Sequence, residues 1–343
     1  MRVLNIFSIA LLFGLASSSL VERFRSWVDD YKIIIKNYDH EMTLFEKWVI
    51  NDKYIEDFNS KNYTFILGHN QFSGMDSNEF STYLGYSKKY ESVNNLRGNT
   101  IKVSPSMDEE FLLFLSLPLS VDWVEDDAVT DVKDQGQCGS CWSFSTTGAL
   151  EGAYYIKYGD LVSFSEQQLI DCDNFKNGGR NNGCNGGLMD NAYSWISKNG
   201  GLCSESSYPY SSGTTKKSGT CIKTCSLIDG SIINSFEDVT PNSDIAMMNA
   251  LVNQPVSIAI EANQKEFQLY KSGVFTASCG TNLDHGVLLV GYGTFEGDDY
   301  YLVKNSWGTT WGADGYIYLG RGSQYNNGAG QCGLLMEGSY PVL

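Results

Sequence analysis

The chain has 343 residues, 42% of them hydrophobic and 13% aromatic, a balance that suits packed globular structure and excludes collagen, coiled coil and wholesale disorder. At roughly 150 residues per domain this length allows about two folding units. Forty acidic against 24 basic side chains leave a net charge of -16, which argues against a phosphate-backbone partner, so no nucleic acid is expected.

Arg2 supplies a positive start, Val3 to Leu15 is mostly apolar, and Ala16 and Ser18 are small residues at a cleavage-like site, so residues 1–18 read as a secretory signal peptide. The run is shorter than the roughly 20 apolar residues a membrane helix needs, and no membrane anchor is expected. Disulfides are permitted in the compartment this implies. Residues 19–116 carry no cysteine. Phe24, Trp27, Val28, Tyr31 and Ile34 lie three or four apart, and Leu44, Phe45, Trp48, Ile55 and Phe58 form a second such series, so a small helical unit is expected. Asn62, Tyr63 and Thr64 form a glycosylation sequon. The polar stretch between Ser87 and Pro105 reads as an exposed linker open to proteolysis.

Residues 117–343 differ. Cys141 opens a helical pattern whose apolar side is Phe144, Ala149, Ala153 and Tyr154, with Gly159 near its end. A cysteine at a helix N-terminus meets unpaired amides and the positive end of the dipole, both of which favour thiolate. From Val256 onward the period becomes two, and strands are expected over Val256–Ile260, Val287–Val290, Tyr300–Val303 and Tyr316–Leu319. This part is therefore α+β, a helical half before a strand-rich half.

All nine cysteines fall from Cys138 to Cys332, and an odd number cannot pair fully within a monomer. A nucleophilic thiol needs a base. Of three histidines, His40 and His69 lie in the early segment and only His285 in the later one. Asn305 follows a strand pattern and has the amide oxygen to orient the imidazole, with Trp307 beside it to exclude water. Asp284 neighbours His285, but adjacent strand residues point to opposite faces, so Asn305 is the stronger orienter. Gln135 offers an amide N–H to an oxyanion together with the backbone N–H of Cys141. Cys138 and Cys141 also form a C-x-x-C, a redox pair or half a zinc site in other contexts, but neither a βαβ setting nor a second ligand pair is evident and no metal is expected. Glu296, Asp298 and Asp299 read as a solvated loop.

The run from Gln135 through Cys138, Gly139, Ser140, Cys141 and Trp142, with His285 and Asn305 downstream, resembles the papain-like cysteine peptidases of the cathepsin L-like branch, from about residue 20 to Leu343. The resemblance implies a two-lobed α+β peptidase, with a helical left lobe and a β-barrel-like right lobe, behind a small helical inhibitory propeptide over residues 19–116. It makes Cys141 the nucleophile, His285 the acid/base, Asn305 the orienter and Gln135 the oxyanion donor, with no cofactor. Cys184 to Met189 match the family's cleft wall, so Gly186, Gly187, Leu188 and Met189 are expected to bind substrate along with Ala259, Leu283, Gly286 and Trp307. Glu337 maps to the bottom of the pocket for the substrate residue second from the scissile bond. Family pairing implies Cys138 with Cys184, Cys172 with Cys221, and Cys279 with Cys332; Cys203 and Cys225 are additional, and a fourth bridge between them is expected, with exchange of Cys221 and Cys225 as the alternative.

The early segment resembles the family's propeptide through Asn51, Ile55 and Asn59, with Trp48 in place of phenylalanine, and through Gly68, Asn70 and Phe72. His40 and Leu44 stand where glutamate and arginine are usual, and Gly74 where aspartate is usual. The implied function is that of a secretory zymogen of a cysteine endopeptidase, working as a monomer in acidic lysosomal protein degradation, with export as the alternative. Its partners would be protein and peptide substrates, its own propeptide and cystatin-like inhibitors. A non-catalytic binding or storage protein of the same fold is the rival, but such proteins usually lose a catalytic residue and all four are present here.

Overall fold

A computed structural model describes residues 19–87 and 115–343, so the expected signal peptide and nearly all of the polar linker lie outside the described residues. The first helical run covers residues 19–30. It ends because Lys32 turns into the left-handed region at φ 51°, and this leaves Ile34 80% exposed instead of completing the first apolar series. The next helix, Tyr38–Asn59, is capped by the Asn37 side chain, which accepts from the His40 amide. It buries Trp48, Asn51, Asp52, Ile55 and Phe58. Phe24, Trp27 and Trp48 form a small apolar cluster against which Leu44 and Phe45 pack.

A polar knot sits beside that cluster. Asp52 accepts from Arg23 Nη2 at 2.7 Å and from His69 Nε2 at 3.0 Å, and the His69 ring stacks on Trp48 with centroids 4.6 Å apart. Burial pushes the His69 imidazole below its ordinary value of 6.5. At Gly74 a Cβ would lie 2.8 Å from the Trp27 ring and 2.9 Å from Leu44 Cδ2. Trp27 and Leu44 thus fill the space beside Gly74, leaving no room for a larger side chain there.

The strands, in chain order, are β1 Phe65–Leu67, β2 Val121–Asp122, β3 Ser235–Asp238, β4 Val256–Ile260, β5 Tyr270–Phe275, β6 His285–Phe295, β7 Asp298–Lys304, β8 Tyr316–Gly320 and β9 Gly338–Val342. They form one sheet in the order β1-β5-β8-β7-β6-β4-β9-β3, with β2 also on β6. All five residues of β4 are buried, including the alternate polar position Ser257. Its hydroxyl bonds Tyr193 Oη at 2.7 Å and the Ser145 carbonyl at 2.8 Å, so it faces the helical half and not water. β1 belongs to the early segment, yet pairs antiparallel with β5, with Phe65 opposite Gly273. This strand addition satisfies an otherwise open sheet edge. Asn70 Nδ2 donates to the Gln268 carbonyl at 2.8 Å, and Phe72 and Phe80 both pack edge-on to Trp307 at 5.3 Å.

The helical half is built on Cys141–Tyr158, whose residues from Cys141 to Tyr154 are all buried, with Gly159 at φ 73° closing it. Around it pack Glu166–Cys172 and Met189–Asn199. Disulfides join Cys138 to Cys184, Cys172 to Cys221, Cys203 to Cys225 and Cys279 to Cys332, and leave Cys141 free. Among the described residues no helix is long and apolar enough to cross a membrane.

Candidate active site

Cys141 is the first residue of its helix, and the Ser140 cap offers no side-chain hydrogen bond to the helix amides. The helix end therefore keeps its positive potential toward the sulfur. The Gly286 amide donates to Cys141 Sγ at 3.3 Å, which ties the thiol to the start of β6. His285 is the first residue of that strand. Its Nε2 lies 2.8 Å from Asn305 Oδ1, and the same oxygen accepts from the Ser306 amide at 2.8 Å. An amide oxygen carries no proton and can only accept, so Nε2 carries the imidazole proton and Nδ1 is left as the acceptor. That nitrogen is buried and has no hydrogen-bond partner among the described residues. The Trp307 indole stacks on the imidazole at 4.5 Å and is itself wholly buried, shielding the His285–Asn305 bond from water.

Asn305 follows β7, and a buried charge group stands nearby. Lys133 Nζ reaches Glu151 Oε1 at 2.9 Å and Glu166 Oε1 at 2.6 Å. Lys304 Nζ donates to the Thr130 carbonyl at 2.6 Å, and burial pulls its ammonium down to about 8. Asp284 is turned away from catalysis: its carboxylate accepts from the Ala262 amide at 2.8 Å, and burial raises it to about 7. Glu296 lies exposed in the β6–β7 turn, whereas Asp298 and Asp299 are not loop but the first residues of β7, opposite Phe295 and Thr294; Asp298 is partly covered, and the exposed Asp299 pairs with Arg321 at 3.3 Å.

Gln135 is fixed from both ends of its amide. Oε1 accepts from Ser306 Oγ at 2.7 Å, while Nε2 donates to the carbonyls of Cys138 and Tyr83, each at 2.8 Å. Tyr83 belongs to the early segment. That segment runs on through the cleft: the Gly187 amide donates to the Gly85 carbonyl at 3.0 Å, and the Tyr86 amide to the Asp284 carbonyl at 3.0 Å. The Gly85 amide faces the Cys141 sulfur and lowers its proton affinity, but burial dominates and pushes the thiol up to about 11. Burial likewise pulls His285 down to about 4. With the early segment seated, both groups are held neutral.

Leu188, Met189, Ala259 and Leu283 are buried in one apolar cluster with Tyr86. Gly286 adjoins Met189, whose sulfur would be 3.2 Å from a Cβ placed there. Gly186, at φ 107°, leads into Gly187, which bridges to Tyr86 of the early segment. Glu337 is partly buried, and its carbonyl accepts from the Ala259 amide at 3.2 Å. Asn62 is exposed, remote in sequence from these groups. Tyr83 to Tyr86 carry none of the motifs by which the other site residues stand out in the sequence. A signal was present in a lone glycine between large side chains just ahead of the polar linker. Cys138, bound to Cys184, is unavailable as the partner of Cys141 in a redox pair.

Residues 117–342 match the papain family cysteine protease, and residues 24–80 match the cathepsin propeptide inhibitor domain. The chain belongs to the papain family of cysteine proteases and carries the family's inhibitor domain ahead of the protease. It is 40% identical over 328 residues to the senescence-specific cysteine protease SAG39 of Oryza sativa subsp. japonica, covering 95% of this chain and 91% of that one. Its fold is similar to the recombinant stem bromelain precursor, with TM-score 0.82 and 36% identity over 95% of this chain and 99% of that one. It is also similar to the digestive procathepsin L 3 of Tenebrio molitor larval midgut, with TM-score 0.80 and 35% identity over 94% and 99% of the two chains.

A Cβ on Gly85 would lie 2.0 Å from the Gly139 carbonyl oxygen, a backbone atom that cannot swing aside. Overpacking of this kind costs about 1–3 kcal/mol, so Gly85→Ala in the full chain is expected to weaken inhibition by about 10- to 100-fold. Activity of the intact, uncleaved chain on a small peptide substrate measures this. A Gly85→Ala chain as silent as the parent would show that residues 83–86 do not seal the cleft.

Proposed function

We propose that this chain is the zymogen of a cysteine endopeptidase, divided into a signal peptide over 1–18, an inhibitory propeptide over 19–116 and a peptidase over 117–343. The observation that carries the mechanism is the early segment's backbone over the site: the Tyr83 carbonyl accepts from Gln135 Nε2 at 2.8 Å, and the Gly85 amide faces the Cys141 sulfur. The propeptide backbone thus rests where a scissile carbonyl would. When the propeptide leaves, water returns, the thiol proton passes to His285 Nδ1, and the thiolate attacks the substrate carbonyl carbon. Gln135 Nε2 and the Cys141 amide hold the oxyanion. The imidazolium, oriented by Asn305, then protonates the leaving amine. Water, deprotonated by the same imidazole, hydrolyses the thioester and restores the thiol.

The four disulfides and the inhibitor domain support passage through an oxidising secretory route. The acidic composition supports work in an acidic lysosome-like compartment, with export as the second destination. Exposed Asn62 would carry a glycan that is lost with the propeptide. The mature enzyme acts as a monomer on proteins and peptides, and cystatin-like inhibitors would compete for the same cleft.

Cys141→Ala should remove peptidase activity while keeping all four disulfides, and Gln135→Ala should lower kcat by about 100- to 1000-fold. Steady-state kinetics on the activated enzyme decides. Thiol-dependent cleavage by the first variant would refute the nucleophile, and a loss below about tenfold in the second would place the oxyanion donor elsewhere.

The apolar pocket of Leu188, Met189, Ala259 and Leu283 favours leucine or phenylalanine as the second substrate residue, and a Glu337 carboxylate at its end would admit arginine by a charge-assisted pair. In paired peptide substrates, Glu337→Ala is expected to remove arginine cleavage and spare phenylalanine. An equal fall for both would show that Glu337 does not select.

A further inference from the structure

The oxyanion reading needs two donors held a fixed distance apart, Gln135 Nε2 and the Cys141 amide. They stand at the two ends of one short loop that contains Gly136 and Gly139, residues that give a backbone little stiffness of its own. The Cys138–Cys184 disulfide pins the middle of this loop and leaves its ends to other contacts.

One side chain from a different segment touches both ends. Tyr210 Oη donates to the Gln135 carbonyl at 2.6 Å and lies 2.9 Å from Ser140 Oγ, the residue just before the nucleophile. A phenol has one proton. Since a carbonyl only accepts, that proton goes to Gln135, and the Ser140 hydroxyl donates its own to the phenol oxygen. Burial raises the Tyr210 phenol above its ordinary value, which keeps it protonated. The ring is held independently of the loop. Its amide donates to Glu205 Oε1 at 2.7 Å, and the ring packs edge-on to Phe144 at 4.9 Å, one turn into the nucleophile helix. Nearby, the Gln137 amide donates to the Gly213 carbonyl at 3.2 Å, so the Tyr210 segment braces the loop along its length.

We propose that Tyr210 is a positioning residue for the oxyanion site, its hydroxyl setting the spacing between the Gln135 and Cys141 donors by bridging Gln135 and Ser140. This rests on the proposed role of Gln135. Tyr210 acts on the transition state through Gln135 and touches neither substrate nor the reacting atoms. Losing the bridge loosens a preorganised donor without deleting it, so the loss is smaller than that for Gln135→Ala.

The test is a double-mutant cycle on the activated enzyme, with enzyme concentration set by titration with an irreversible thiol probe. Tyr210→Phe should lower kcat by about tenfold, leave KM within about twofold, and weaken a peptide aldehyde, whose hemithioacetal oxygen enters the same site, by the same factor as kcat. Placed on Gln135→Ala, Tyr210→Phe should cost less than about twofold more. Ser140→Ala removes the other arm of the bridge; it should reproduce the kcat and aldehyde losses, and it carries the test should Tyr210→Phe fail to fold. The proposal is overturned if kcat is unchanged in these variants, if KM rises in place of a fall in kcat, or if the loss multiplies in full on Gln135→Ala. A small loss in Gln135→Ala alone would instead overturn the oxyanion role itself.

Discussion

The N-terminal turns of the Cys141 helix lie directly on the start of β6, and the remaining features of the site depend on that seam. Ser145 Oγ donates to the Val287 carbonyl at 2.7 Å, and Ser257 Oγ on β4 donates to the Ser145 carbonyl at 2.8 Å. Gly148 lets Leu288 approach so closely that a Cβ would sit 2.8 Å from its Cδ2. Buried hydrogen bonds of this kind contribute about 1 kcal/mol each when made, and cost more when a partner is left unsatisfied. Their greater effect is geometric. Cys141 from the helical half and His285 from the strand half meet without either lying on a flexible loop, and Asn305, Trp307 and Ser306 extend the same arrangement to Gln135.

The price of so dry a seam is that charge is disfavoured within it until water or substrate enters. The seated propeptide exploits this. It adds β1 to the open edge of β5, presses Phe72 and Phe80 onto Trp307, and lays Tyr83 to Tyr86 over the thiol. Inhibition then has two components, a blocked cleft and a neutral pair. With the propeptide seated, the one proton of the pair stays on the Cys141 sulfur and the His285 imidazole is neutral. Opening moves that proton from Cys141 to His285 without changing the number bound, so the pair itself gives closure no pH dependence while the open form is thiolate–imidazolium. His69, stacked on Trp48 and lowered by burial, does supply one from within the propeptide: its contribution is present above about pH 6.5 and is lost as pH falls through its lowered value.

The chemistry was more legible than the route of the chain because few residue types can perform it. Nine cysteines leave a thiol over, and one histidine remains outside the early segment. The helix beginning at Cys141 and ending near Gly159, and the strand beginning at His285, follow from periodicity and end signals that act locally. What local pattern cannot carry is tertiary. Ile34 continues the apolar spacing of its helix, yet Lys32 has already broken it. β1 is three residues long and exists because β5 offers an edge. The burial of Ser257, the Lys304–Thr130 contact and the Tyr210–Gln135 contact arise from packing between segments distant in sequence.

The central claim is that the seated propeptide holds Cys141 and His285 neutral by burial, and that its release creates the reactive pair. The rate of Cys141 alkylation by iodoacetamide, followed across pH on the intact chain and on the processed enzyme, tests this most directly. The account predicts that the processed enzyme reacts rapidly at pH 5–6, within the range where activated cysteines are already thiolate. The intact chain should stay inert there and gain reactivity only as pH rises toward about 11. Matching rates and matching pH profiles for the two forms would contradict it.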